Sequence, residues 1–188
     1  MDSNQDHINS EIPQIGLCLE ELLKKTLCPN YIKDKDMIKQ ISPWEEADYR
    51  AGIYLYDIQD YSLMATQAVM VSDKERRISP KAVELSYMIF CNENSKFGGI
   101  QREQVQAVLN ETVRTVYDHP ILIREDGEEI QISFAKEDMD FKIRLWQSFS
   151  RPLQPAVYIR AVPVLIASGR IQDINRVEKR DYRVEKKE

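Results

Sequence analysis

The chain has 188 residues, 43% apolar and 30% charged, with 26 basic against 31 acidic side chains and a net charge of −5. That length suits one domain with polar extensions, and the acidic balance excludes the basic excess of a nucleic-acid-binding domain. No apolar run approaches the roughly 20 residues needed to span a bilayer. Met1 to Ile15 lacks the basic start and apolar core of a signal peptide, so the chain is expected to stay where it is made. Cys18, Cys28 and Cys91 are odd in number and never at metal-ligand or C-x-x-C spacing. They read as reduced thiols, with Cys91 a small packing residue in its apolar run.

Ser10 and Pro13 predict a helix start. Ile12, Ile15, Leu19, Leu22 and Leu23 recur at helical spacing, with Glu20, Glu21, Lys24 and Lys25 opposite, and Cys28-Pro29-Asn30 ends the helix. Leu17 falls on the polar side, where a free-standing monomer leaves it wet. Met37, Lys39 and Ile41 alternate as in an edge strand. Ala51 to Ile58 is apolar or aromatic on both faces, as in a strand near the middle of a sheet. Gln67 to Val71 is expected to pair back as another strand, and Ser72 to Arg77 to form a charged loop. Ser79-Pro80 leads into a second strong strand, Val83 to Cys91. There Leu85, Tyr87 and Ile89 face one way, and Ser86, Met88 and Phe90 the other.

Phe97-Gly98-Gly99 predicts a turn. Gln101 to Asp118 predicts an amphipathic helix with Val105, Val108, Leu109, Thr112 and Val116 along one face. His119-Pro120 stops it, because proline disfavours helical geometry in the residue before it. Ile121 to Ile123 and Ile130 to Phe134 flank Asp126-Gly127, which has the chemistry of a tight hairpin turn. Lys136 to Phe149 predicts a third helix, with Met139, Ile143 and Trp146 on the core side and Phe141 and Leu145 on another. The last strand, Ala156 to Ala167, carries Tyr158, Val162, Val164 and Ile166 on one face. Pro163 cannot donate to a ladder, so this strand is an edge or is bulged there. Beyond Gly169 the chain turns charged, and Arg176-Val177-Glu178-Lys179 recurs as Arg183-Val184-Glu185-Lys186. A solvated tail is expected. The organisation is therefore a polar N-terminus at 1–9, a single α+β domain at 10–168 and a tail at 169–188. The domain is expected to hold a mainly antiparallel mixed sheet with about three helices packed on it.

No phosphate-binding loop and no G-x-S-x-G elbow is present. His7 lies in the polar N-terminus, and His119, at a helix stop, suits a capping or packing role. Glu125, Asp126, Glu128 and Glu129 lack the alternation of a calcium loop and read as a solvated turn. Glu137, Asp138 and Asp140 lie at a helix start, where negative charge offsets the helix dipole. Tyr54 and Tyr56 read as core residues rather than a base-stacking platform, given Asp57 and the acidic chain. Arg160 is either an edge residue whose charged end reaches water or a charged anchor at a subunit contact. No catalytic, cofactor-binding or metal-binding residues emerge.

Four stretches, taken in order, resemble the cap or tube-terminator family of extracellular contractile injection systems. They are Ile12 to Leu23; Ile53-Tyr54-Leu55-Tyr56-Asp57-Ile58; Ala107 to Leu122, with His119-Pro120; and Leu145-Trp146-Gln147-Ser148-Phe149 through Arg151-Pro152 into Tyr158 to Ser168. The resemblance spans residues 8 to 168. It lapses at Gln59 to Thr66, which lacks the family's proline- and arginine-containing stretch, and again from Arg170. It implies a non-enzymatic, cofactor-free protein similar to phage tail terminators. Six copies would form a ring that caps the inner tube and holds the last sheath layer, assembled in the cytoplasm and then carried on the particle. Its partners would be itself, the inner tube protein and the sheath protein, with no nucleic acid and no membrane. From pattern alone, Leu17, Phe141, Leu145 and Arg160 are the candidate subunit or partner contacts. The two-faced third helix and the proline-bearing strand are candidate parts for ring closure and strand addition. The alternative is a small regulatory or ligand-binding module, which an apolar small-molecule pocket would favour.

Overall fold

The computed structural model describes residues 10–62, 68–70, 75–93 and 100–173. Helix α1 (Glu11–Leu27) leads through a short 3-10 turn to β1 (Ile38–Gln40) and β2 (Ala51–Asp60). Strands β3 (Val69–Met70), β4 (Glu75–Arg77) and β5 (Lys81–Cys91) come before α2 (Arg102–Asp118). The hairpin β6 (Ile121–Ile123) and β7 (Glu129–Phe134), helix α3 (Met139–Ser148), β8 (Ala156–Ile166) and β9 (Ile171–Asp173) complete the described chain. The main sheet has the order β1-β2-β5-β8-β7-β6. Only β1 and β2 are parallel, and every other neighbouring pair is antiparallel. This is the expected α+β arrangement.

Strand β5 is apolar on both faces because both are covered. Leu85, Tyr87, Ile89 and Cys91 point toward α1 and α2, where Ile15, Leu19, Leu23 and Leu27 of α1 meet Val105, Val108 and Val116 of α2. Met88 and Phe90 point the other way, into a smaller core with Trp146 and Phe149 of the α3 region, Tyr158, Ile41 and Tyr49. The alternation read in the sequence is therefore correct, and the thiol of Cys91 lies in the first core. Burial pushes its pKa up to about 12, so it is a packing group and a poor nucleophile.

The second core is built from ring edges meeting ring faces. Trp146 is 1% exposed, lies 5.9 Å from Phe90 at 86°, and donates its indole N–H to the Tyr158 hydroxyl at 3.0 Å. Tyr56 donates to Glu137 at 2.8 Å, and burial, then that bond, raise its pKa. Gly52 is required here, since a Cβ on it would sit 2.5 Å from Cζ of Phe90. Asp138 caps α3 by accepting the Phe141 N–H at 2.7 Å, so the helix begins at Met139, later than expected. Met139 consequently lies in the first turn and is 59% exposed, not a core residue.

Strand β8 is not an edge, since it runs between β5 and β7. Pro163 is accommodated by the other alternative, a bulge. Val83 opposes Val164 and Leu85 opposes Ala161, so two residues of β8, Val162 and Pro163, face one of β5. The extra residue reverses the alternation, and Val164 joins the first core instead of sharing a face with Tyr158. Residues 75–77, expected as loop, form β4. It pairs with β3 on one side and β9 on the other in a separate three-stranded sheet. Residues 171–173 of the charged tail thus form a strand, while 1–9, 97–99 and 174–188 lie outside the described residues.

Trp146→Ala is expected to cost about 3–5 kcal/mol in denaturant unfolding, and Tyr158→Phe, which removes the acceptor of the buried indole N–H, about 1–3 kcal/mol. Equal effects would show that the hydrogen bond, not the ring packing, holds α3.

Candidate assembly interface

The hairpin after α2 is clamped to α1 by one buried cation. Arg124 donates to Gln14 at 3.0 Å and Asp126 at 2.8 Å, and it also donates to Glu128. Gly127, at φ 84°, makes the turn that brings Asp126 and Glu128 back to it. The acidic cluster is therefore in large part the counterion shell of Arg124, which reading the turn as merely solvated missed. Burial raises the Glu128 pKa, and the Coulomb attraction of Arg124 opposes that rise.

This clamp positions β6, one end of the main sheet. The Ile132 N–H donates to the Pro120 carbonyl and the Arg124 N–H to that of Glu128, with Leu122 opposite Ile130. By antiparallel alternation, Ile121 and Ile123 turn their main-chain groups away from β7, toward the side on which α1 lies. The Cys18 thiol reaches the Ile123 carbonyl at 3.8 Å. Leu122 points into the first core, so Ile121 and Ile123 point to the opposite face, where Ile123 is 65% exposed. Tyr117, four residues before β6, is 78% exposed.

The other end is β1, which covers only Ala51 to Ile53 of β2. Beyond it β2 carries a bulge between Leu55 and Asp57. There the Asp57 carboxylate accepts the Ile58 N–H at 2.9 Å and the Gln59 side-chain amide at 2.6 Å. A bulge with a charge on the edge blocks strand pairing along this stretch. Trp44, in the loop after β1, is 49% exposed and packs on Tyr54 at 5.5 Å.

The four contact residues expected from sequence are not brought together. Leu17 lies exposed on α1, over the first face of the sheet. On the opposite face, Phe141 is half-buried against Tyr56 at 5.7 Å, and Leu145 is half-buried in the second core beside Trp146. Arg160 is exposed on that same face, with Glu84 at 3.7 Å. Sequence reasoning passed over Ile121 and Ile123, whose signal was a three-residue apolar strand too short to be buried on both faces. His119 occupies the C-cap of α2, its backbone N–H donating to the Thr115 carbonyl, and its side chain is exposed. Among the described residues no three His, Cys, Asp or Glu side chains are grouped to hold a metal ion, and no helix is long and apolar enough to cross a membrane.

A sheet covered by helices on both faces defines an α+β domain. The chain belongs to the Pvc16 N-terminal domain family, which it matches over residues 14–179. Its fold is similar to that of the PVC sheath/tube terminator of an extracellular contractile injection system in the extended state. The TM-score is 0.68 at 16% identity, over 94% of this chain and 64% of that one. It is also similar to the tube-terminating cap of the anti-feeding prophage, with a TM-score of 0.61 at 15% identity, over 90% of this chain and 60% of that one. The chain thus spans less than two thirds of the length of either. No curated protein matches it by sequence.

Arg124→Met should destabilise the fold by about 1–3 kcal/mol at neutral pH, because Asp126 and Glu128 lose their partner. The deficit should shrink as the pH falls and Glu128, whose pKa burial already raises, takes up a proton and no longer depends on the guanidinium. A deficit independent of pH, in melts of wild type and variant, would mean that Arg124 acts through packing.

Proposed function

We propose that the chain is a non-enzymatic structural cap that ends the inner tube of a contractile injection particle. The observation that carries this reading is the agreement of fold, along nearly the whole chain, with two tube-terminating proteins. Family membership supports it, as do the exposed Ile121 and Ile123 at one end of the sheet. In this reading copies of the chain form a ring, of six members, on the last layer of tube, and the last sheath layer is held outside it. Assembly takes place in the cytoplasm, and the ring then travels as part of the particle.

Leu17 and Arg160 lie on opposite faces of the sheet, so they serve contacts with different neighbours. The exposed parts of Phe141 and Leu145 contribute a rim on the Arg160 side, secondary to their packing within the monomer.

The test combines purified protein with the inner tube protein and follows it by native mass spectrometry and electron microscopy. Rings on tube ends and tubes of restricted length are expected. A strict monomer in the presence of tubes, with tube length unaltered, would overturn the cap reading. Assembly in the absence of tube is not required, since a template lowers the cost of bringing copies together.

A further inference from the structure

We infer that Arg50 is the receptor for a carboxylate borne on a short apolar stem. Its guanidinium holds the group in a pocket bounded by the segment after α1, the turn before β1 and the first turn of α2. The inference stands apart from the cap reading. It begins from a contrast between two guanidinium groups. Arg124 donates to Gln14, Asp126 and Glu128. The half-buried Arg50 makes no side-chain hydrogen bond or ion pair, and its Nη1 is shut off from water as well. A buried charged donor left without an acceptor is costly, so it calls for an acceptor from outside the fold.

The residue is held firmly in place. Its N–H donates to the Met37 carbonyl at 2.8 Å, and its carbonyl accepts the Asn92 N–H at 3.0 Å. Of the three guanidinium nitrogens only Nη1 is cut off from water, so Nε and Nη2 keep access to solvent. Those two form the side-on fork that matches both oxygens of a carboxylate. Arg50 lines a pocket of about 460 Å³, a volume common for small-ligand sites. Ile32, Met37 and Ile100 give the pocket an apolar wall. The first turn of α2 borders it with no side-chain cap on its N–H groups, a further set of donors for an anion.

The charges nearby are balanced. Lys33 and Asp34 share the lining with Arg50, and the Asp34 carboxylate accepts the Asp36 N–H at 3.0 Å. Next to the lining, Lys35, Lys39 and Arg102 are matched by Asp36, Asp48, Glu93 and Glu103. A dianion such as phosphate therefore gains no net attraction from these surroundings. The fork and the apolar wall select the ligand instead: one carboxylate with a few carbons behind it. A free short-chain carboxylic acid presents that group, and so does a glutamate side chain or C-terminus of a protein seated on this surface.

The test follows the full chain by NMR during titration with sodium butyrate to about 50 mM at constant ionic strength. The Nε–H resonance of Arg50, identified by its loss in Arg50→Met, is expected to shift saturably with butyrate and not with butylammonium chloride. Arg50→Lys keeps the charge but loses the fork, and should weaken butyrate binding, read at the Lys33 and Ile100 amides, at least about tenfold. Arg50→Met should melt no lower than wild type, because it removes an unpaired donor. A resonance that butyrate leaves in place, or that butylammonium moves equally, would overturn the site, as would a lowered melting temperature in Arg50→Met. A second arm measures attachment of the chain to inner tube protein. Attachment weakened both by butyrate and by Arg50→Lys assigns the carboxylate to a protein, and attachment unaltered by either, with butyrate bound, assigns it to a free acid. Failure of the wild type to attach at all counts against the cap reading and leaves the butyrate result to decide this site.

Discussion

The structure depends on one constraint: over Tyr87 to Cys91 of β5 and Ala156 to Ile159 of β8 the middle strands must be apolar on both faces. Two helices cover one side of the sheet and a shorter helix with an aromatic loop covers the other, so these stretches have no wet face, while Arg160 farther along β8 stays exposed. Helix α1 alone would bury only one layer. The second layer exists because Phe90, Met88 and Tyr158 need a partner, which Trp146 supplies while Tyr158 satisfies its indole N–H. A buried indole left without an acceptor would offset much of the gain from burying its ring.

What was legible in the sequence follows from that constraint. Ile53 to Tyr56 and Tyr87 to Cys91 carry apolar or aromatic groups on both faces, and only a two-sided strand wants that. The stripes of α1 and α2 were equally plain, because each helix buries one side only. The parts that escaped reading have physical reasons. Pro163 removes a donor wherever it sits, and the sequence alone did not distinguish an edge from a bulge. Glu75 to Arg77 carries no apolar period, because the small sheet it joins draws its order from backbone pairing. Arg124 looked like one charge among many, because its partner Gln14 lies 110 residues away in the chain.

The contact surface was the least legible part. Outward apolar residues were sought on helices, where 3.6-residue periodicity makes a misplaced Leu17 conspicuous. Ile121 and Ile123 lie on a strand so short that no alternation can be counted, and their exposure follows from sheet order, a long-range property. Among the described residues no cluster of metal-ligating side chains marks a site, so residue types gave sequence reasoning little to hold on to.

The Asp57 carboxylate, folded back on the backbone of its own strand, has a further consequence. Without it the outer half of β2, bulged though it is, would offer the Ile58 amide to an extended chain docking there. With it, that amide is spent and lateral growth has at most a short foothold. So short a ladder contributes on the order of a few kcal/mol at most, too little to repay the freedom two chains lose when they meet in dilute solution. The same carboxylate thereby deters promiscuous stacking of copies in dilute solution.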